Sequence, residues 1–583
     1  IGTPFVYDNV QGDLDTAPYE RIEVLRGANG LMSGLGQPSA TINFIRKRPT
    51  TERQARVDLT GGSWDMRRVD TDVSGALSED GGVRGRLVVA HENKNSYLDN
   101  YAREKNIVHA VVDAELTATT QLTVGHTYQT SDANAPLWGA LPLAYTDGSL
   151  THYHRNTSTA TPWSFWDVQE DRTFAELSQT LGAGWSVKAV VTHLEKKGHG
   201  KLFYVYGTPD AVTEQGLAAF PSRYDDRTRQ LIADLYAQGP FELAGRTHEL
   251  VLGTGWSRSE LDDVSHYGQG IGTPLPSLLE WTGAYPEPGF DAFVNGSDFT
   301  DRQTAYYAAA RWSLLDPLTL LTGTRVVNAQ SRGINYGEDR AANASGEVVP
   351  YAGLVYEITP SYSVYTSYTK IFDTQTETDA NGDRLAPVTG ETYEIGAKAG
   401  VLDERVNLGI TLFRTRQDNV AEQTGMVGTQ AIYRAAKGVV SEGFELDVNG
   451  ELVSGLHLGA GYTYVDIQGP DGENPRAYAP QHLFRVATSY RVPVHPALKV
   501  GANVQWQDTI DRTVALTPSG TAVVKQDSYA LLNLMASYDI ATHWQAAINL
   551  NNVTNEKYLT SLQWDQSYYG APRNASMTLS WKY

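Results

Sequence analysis

Aromatic side chains with polar tips gather between stretches of alternating sequence. Trp138, Tyr145, Tyr153, Trp163 and Trp166 crowd residues 133–167. Tyr204 and Tyr206 stand in the next long connection, and Tyr267, Trp281 and Tyr285 in the one after. Tyr433, Tyr568 and Tyr569 extend the set. Such rings offer flat, rigid apolar surface with a hydrogen-bonding end at small entropic cost, which suits recognition of a compact ligand. Taken singly, each ring is more often a membrane-interface anchor or loop packing than a ligand contact.

Residues for covalent or metal chemistry are sparse. His152 and His154 in THYHR have the spacing to put two imidazoles on one face of a strand, although most such pairs are exposed loop histidines. Asp225-Asp226 and Asp262-Asp263 read as solvated strand ends. The absence of Cys removes disulfides, thiolate metal sites and Cys nucleophiles. Neither a GxSxG nucleophile motif nor a phosphate-binding loop is present. A net charge of -20 argues against a nucleic-acid partner.

The elements that must hold these aromatics follow from composition and period. Among 583 residues, 33 Tyr and 12 Trp outnumber 14 Phe, the balance a membrane-interface belt favours. Mean hydropathy is -0.36 and no run of about 18 apolar residues occurs, so a transmembrane helix is not available. A membrane protein without one must be a closed barrel. With no basic and apolar leader at its start, the chain reads as mature or trimmed.

From Arg53 onward, twenty-two segments alternate. Val406, Leu408, Ile410 and Leu412 alternate with Asn407, Gly409 and Thr411; Trp544, Ala546, Ile548 and Leu550 alternate with Gln545, Asn549 and Asn551. A soluble sandwich shares this period, but the connections here fall into two alternating sets. Short ones include 118–120, 181–184, 315–317, 359–360, 402–404, 453–455 and 541–543. Long ones are expected around 133–162, 198–221, 263–301, 332–346, 373–390, 466–479 and 508–525. Short turns on one side and long loops on the other are the pattern of an outer-membrane barrel. A barrel of this size has a wide lumen that would leak unless filled. The Gly-rich stretch Glu20–Pro49, punctuated by Gly27, Gly30, Gly34 and Gly36 and closed by Arg46, Lys47 and Arg48, is a candidate filler.

Several blocks resemble the TonB-dependent outer-membrane receptors, and within them the ferric-siderophore receptors. They are ERIEVLRGANGLMSGLGQPSATINFIRKRP at 20–49, GETYEIGAKAG at 390–400, SEGFELDVNGEL at 441–452, PQHLFRVATSYR at 480–491, LNNVTNEKYL at 550–559 and the closing YYGAPRNASMTLSWKY. The GLMSGLGQPSATINF version, with PLWGALP at 136–142, is most similar to receptors for hydroxamate-type siderophores, the ferripyoverdine and ferric-alcaligin receptors. The resemblance implies an all-β fold: a 22-stranded transmembrane antiparallel barrel over 53–583, with the C-terminal part of a plug domain at 1–52. Family plugs are longer and begin with a TonB box, so the chain is expected to enter in mid-plug at Ile1.

It further implies TonB-dependent import of a ferric siderophore across the bacterial outer membrane by a monomer that is not an enzyme. Fe(III) would travel inside the siderophore, and no cofactor or protein metal ligand is expected. TonB would engage upstream residues, lipid would surround the barrel, and nucleic acid would play no part. Ligand binding is expected at Trp138, Trp166, Tyr153, Tyr204, Trp281 and Tyr285, led by Trp138 and Trp166 because PLWGALP matches a ligand-contacting loop. Arg155 and Arg223 are further candidates for an acidic siderophore arm. By the same resemblance, Arg26, Glu394 and Glu445 form an ionic latch between plug and barrel. Rival readings keep the machinery with another cargo (cobalamin, haem, oligosaccharide), or make the barrel a passive porin or an outer-membrane hydrolase.

Overall fold

A computed structural model of the chain describes residues 14–27, 40–375, 377–427 and 430–583; the glycine loop Gly30–Gly36 lies outside them. Twenty-two antiparallel strands follow one another around a closed ring, from Gln54–Gly62 to Asn574–Lys582, and these two pair to seal it, Ser576 opposite Gly62 and Lys582 opposite Arg56. Closure leaves no free sheet edge, the condition for crossing hydrocarbon with strands. Among the described residues, the one helical element is the short turn Gly182–Gly184.

Alternation fixes which side chains meet lipid. On the strand Val388–Val401, Tyr393 and Ile395 are exposed on the outer face while Thr392 is buried inside. Exposed Trp256, Tyr306, Tyr356 and Trp544 supply the amphipathic rings expected where hydrocarbon meets water. Short turns expected from the sequence are in place, as at 316–317, 402–405 and 454–455, and the strand ends add another at 244–245. Ala244 and Gly245 (φ +52° and +75°) close one as a two-residue turn with both residues in the left-handed region, which matches the twist of the flanking strands.

The far side differs from expectation. Instead of a long loop over 332–346, strands Leu318–Asn335 and Glu338–Thr359 continue until Tyr336 and Gly337 turn the chain (φ +48° and +88°). Ser186–Tyr206 and Ala218–Leu243 likewise stay paired past the membrane, so their connection shrinks to 207–217. Continued pairing satisfies each partner's backbone, and polar outward residues suit water as well as a loop would.

A smaller sheet lies inside the ring. Strands β1 (Tyr19–Arg26) and β2 (Ala40–Arg46) pair antiparallel, with Ile22 opposite Phe44 and Arg26 opposite Ala40. Eight residues at about 3.3 Å each give β1 a reach of roughly 25 Å, a distance on the scale of the lumen.

Candidate functional site

The β1–β2 pair is fixed to two sectors of wall that lie nearly opposite each other. Counting around the ring from Gln54–Gly62, Ala102–Thr117 is the fourth strand and Gln430–Val453 the sixteenth of 22. On the first side, Asp15 is buried (4% exposed) and accepts hydrogen bonds from Arg68 Nη1 and Nη2 at 2.7 and 2.9 Å and from Lys105 Nζ at 2.8 Å. The Ala17 amide adds a fourth at 2.9 Å, and Ala17 packs on Val88, Ala90 and Ile107 of the wall. Burial alone would raise the Asp15 carboxyl; the Arg68 and Lys105 donors overcome it and hold the group well below the ordinary carboxylate range.

The basic run after β2 extends this anchorage. Lys47 Nζ lies 2.8 Å from Asp72, and Arg48 donates to Thr123 at 2.9 Å and ion-pairs with Glu176. The Arg46 guanidinium sits 4.2 Å from the Phe174 ring centre. All three consecutive cations of RKR thus reach the wall, with Arg46, at 3.7 Å, and Arg48 sharing Glu176 and Lys47 taking Asp72.

Across the lumen, Arg26 Nη1 contacts Asp447 at 2.9 and 3.0 Å and Glu445 at 3.5 Å. The expected trio therefore needs correcting. Asp447, missed from the sequence, is the principal partner, and Glu394 does not pair with Arg26. Its carboxylate lies over Gly27, where a Cβ would come within 2.4 Å of Oε1, and it accepts from Ser367 Oγ at 3.4 Å. Gly27 has φ +84°, so both its backbone and its bare Cα are what let the carboxylate approach. Asp447 follows Glu445 by two on one strand, which puts both side chains on the lumen face; that parity was the available signal.

The six expected ligand residues divide between two faces. Trp138 and Trp166 meet edge to face with ring centres 5.2 Å apart, and Trp138 lies 5.5 Å from Tyr224. Trp138 also bridges by its backbone to Tyr204. Gly139, at φ +76°, lets the two segments touch, since a Cβ there would sit 2.2 Å from Tyr204 Cε2. Gln566 clamps the arrangement: its Nε2 donates to Val205 O at 2.8 Å and its Oε1 accepts from the Ala140 amide at 2.8 Å. Trp166, Tyr204 and Tyr224 share the inward parity of Glu176, Lys188 and Asp234, so the group faces the lumen mouth. Tyr224 was overlooked; its even spacing from Asp226, the neighbouring inward carboxylate, could have found it.

Tyr153, Trp281 and Tyr285 belong elsewhere. They pack around Phe203, which is fully buried and points away from Tyr204 on the same strand. Trp281 stacks on Phe203 at 5.8 Å and 10°, Tyr285 lies 4.8 Å away, and Tyr153 is only 5% exposed. The Trp163 indole donates to Tyr285 O at 2.8 Å and Trp281 to Ala160 O at 3.4 Å. These rings tie the loops to the outer side of the strand, and burial pushes the Tyr153 phenol up. Arg155 is turned to Asn555 (2.8 Å to Oδ1) and Arg223 to Asp225 (3.2 Å), both within the protein. His152 borders a separate cavity of about 130 Å³. Among the described residues, no three His, Cys, Asp or Glu side chains are grouped to hold a metal ion.

Known proteins fit this architecture. A family described as TonB dependent receptor-like, beta-barrel matches residues 54–553. The ferric-pyoverdine BN7/BN8 receptor of Pseudomonas putida is 35% identical over 97% of this chain and 70% of its own length. The ferripyoverdine receptor of Pseudomonas aeruginosa is 34% identical over 98% and 71%. The crystal structure of the latter bound to ferripyoverdine superposes with a TM-score of 0.91, at 33% identity, over 98% of this chain and 77% of that one. The alcaligin receptor of Bordetella pertussis superposes at 0.72, with 28% identity over 98% and 82%. This is a receptor barrel of the bacterial outer membrane and not an enzyme. The closed ring of 22 strands, the inner β1–β2 pair and these matches together place the chain in the TonB-dependent receptor family.

Proposed function

We propose that this chain imports a ferric siderophore, of the pyoverdine or a related hydroxamate-bearing class, with Fe(III) as cargo wrapped by the siderophore's own oxygens. The carrying observation is the inward group of Trp138, Trp166 and Tyr224, with Tyr204 held beside it, at the mouth of a lumen that also contains an ion-paired insert. Its rings present edges and faces to a bulky chelate, and Gln566 fixes their spacing before ligand arrives, so little ordering cost remains for binding. Kinship to receptors named for ferric pyoverdine favours that cargo over cobalamin, haem or oligosaccharide. Passage requires the insert to leave its wall contacts. Energy delivered through TonB would break the exposed Arg26 contacts first and the buried Asp15 contacts last. No resident cofactor takes part.

Tryptophan fluorescence of the purified receptor, titrated with ferric pyoverdine, ferric hydroxamates and cyanocobalamin, tests the reading. Quenching by a ferric siderophore is expected, with affinity reduced at least tenfold in Trp138→Ala and little changed in Trp281→Ala. Quenching by cobalamin alone, or an unaltered affinity in Trp138→Ala, would overturn it.

A further inference from the structure

Three of the long connections meet at the mouth of the barrel and do not fill the space between them. One forms a hairpin of its own, Ile510–Ala515 paired with Thr521–Gln526, between the ring strands Leu498–Gln507 and Tyr529–Ala541. Ile510, Val514, Ala522 and Val524 make its apolar face. They are buried on Leu143 and Ala144, from the connection that carries Trp138, and on Leu562, from the connection before the last strand. Beyond this face, the Thr517 amide donates to Thr208 Oγ1 at 2.8 Å and Arg512 holds Asp565 at 2.8 Å. The cavity of about 130 Å³ beside His152 lies in this joint.

The cavity has an apolar interior and a basic rim. Leu141, Leu143, Tyr153 and Val524 form its buried wall, and Leu150 and Leu559 complete it. Polar groups of the lining are spent within the protein. Thr151 Oγ1 donates to Pro142 O at 2.7 Å, the Thr151 amide to Leu143 O at 3.2 Å, and the Leu559 amide to Gln526 Oε1 at 2.8 Å. A space lined in this way offers water few partners and accepts an apolar group. Exposed His152 and Lys525 stand at its edge, and no acid is among the lining residues. Lys557 adds a second ammonium behind the wall, donating to Tyr153 O at 2.8 Å and lying 4.0 Å from the Tyr569 ring centre. The neighbouring acids do not cancel this charge. Asp527 is 3.7 Å from Lys525, but both side chains are mostly exposed and such a pair is weak. Glu214, the acid that acts on the Tyr153 phenol, accepts from the Ser277 hydroxyl.

We propose that this joint binds a small aromatic carboxylate, with its ring in the cavity and its carboxylate at Lys525 and His152. Size sets the class. A cavity of about 150 Å³ lined by Leu, Ile and Phe takes up one benzene, so a volume of about 130 Å³ admits a single ring and no fused system. The ring touches the hairpin through Val524 and the 136–142 block through Leu141, so an occupant ties the hairpin to the segment that presents Trp138. The cavity is separate from the Trp138, Trp166 and Tyr224 group, and the proposal stands whichever cargo that group takes.

Saturation-transfer difference NMR on the whole receptor in detergent tests it, with benzoate, benzyl alcohol and benzylamine as probes of one shape and three charges. Benzoate is expected to give a saturable signal and benzylamine none. Leu143→Trp, which fills the cavity, is expected to abolish the benzoate signal. Lys525→Gln, at an exposed position, is expected to weaken benzoate about fivefold while leaving benzyl alcohol unchanged. Adding a ferric siderophore separates two sources of the carboxylate: displacement of benzoate assigns it to an acidic arm of the cargo, and coexistence assigns it to a free solute. Equal binding of benzylamine and benzoate, a benzoate signal that persists in Leu143→Trp, or an unchanged benzoate affinity in Lys525→Gln would each overturn the proposal.

Discussion

The two anchorages of the inner sheet differ in burial, and that difference predicts which one governs its release. In Asp15→Asn the side chain keeps its shape and loses its charge. The carboxylate it replaces accepts three charged hydrogen bonds at 2.7–2.9 Å with a side chain 3% exposed. Breaking a buried pair of this kind costs about 3–5 kcal/mol when the other partner is stranded. Here it is not: Arg68 keeps Asp70 at 2.6 Å and Glu92 at 3.6 Å, and Lys105 keeps Glu92 at 4.0 Å. The loss should fall to about 2–3 kcal/mol, roughly 30- to 150-fold in the opening equilibrium. Arg26→Gln is milder. With side chains 50% and 35% exposed, the Arg26–Asp447 pair is screened by solvent and is worth about 0.2–1 kcal/mol, at most roughly fivefold. Hydrogen exchange read by mass spectrometry over residues 14–27 and 40–50 reports that opening directly. If Arg26→Gln accelerates exchange as much as Asp15→Asn, or Asp15→Asn leaves it unchanged, the ranking by burial is wrong.

The Asp15 carboxyl also sets an acid limit. Because its folded value is depressed, its contribution is complete above the ordinary carboxylate value near about 4 and drains away as pH falls towards the folded value. Exchange in residues 14–27 should therefore rise on acidification below about pH 4, and Asp15→Asn should flatten that rise; an identical acid response in the variant would contradict the assignment. At the lumen mouth, Gly139→Ala forces a Cβ to 2.2 Å from Tyr204 in a left-handed backbone, which costs about 1–2 kcal/mol before any clash. Ferric-siderophore affinity measured by tryptophan quenching should drop about tenfold or more while barrel melting is unmoved, and an unchanged affinity would show that the Trp138–Tyr204 contact is dispensable.

What the sequence makes legible follows the range of the physics involved. Strand period and turn chemistry are local, so Val406–Leu412 or Trp544–Leu550 declare their faces without knowledge of neighbours. Loop length is less local. The stretch 332–346 looks like a loop by polarity, yet it pairs, because two neighbouring strands above the membrane satisfy each other whatever their side chains. Ionic partners are not local at all: Asp15 meets Arg68 and Lys105 across 53 and 90 positions, from a short polar segment with no period to mark it. Resemblance supplied Arg26 and Glu445, and parity would have added Asp447. Nothing in the sequence alone separates a carboxylate that pairs with Arg26 from Glu394, whose position depends on the missing Cβ of Gly27.

The aromatic residues make the same point more sharply, since type predicts ring chemistry but strand parity decides use. Phe203 and Tyr204 are adjacent, and alternation sends them to opposite sides of Ser186–Tyr206. On the outer side, Phe203 gathers Trp163, Trp281 and Tyr285 from two loops, where indole donors satisfy loop carbonyls. On the inner side, Tyr204 receives the segment that presents Trp138. The 136–142 block touches both faces, with Leu141 in the Phe203 core and Trp138 against Trp166. Packing on the outer face thereby fixes the backbone that aims the inner rings. A site at the inner rings would borrow its rigidity from the outer-face aromatics, since Tyr153, Trp281 and Tyr285 pack around Phe203 while Trp138 packs against Trp166.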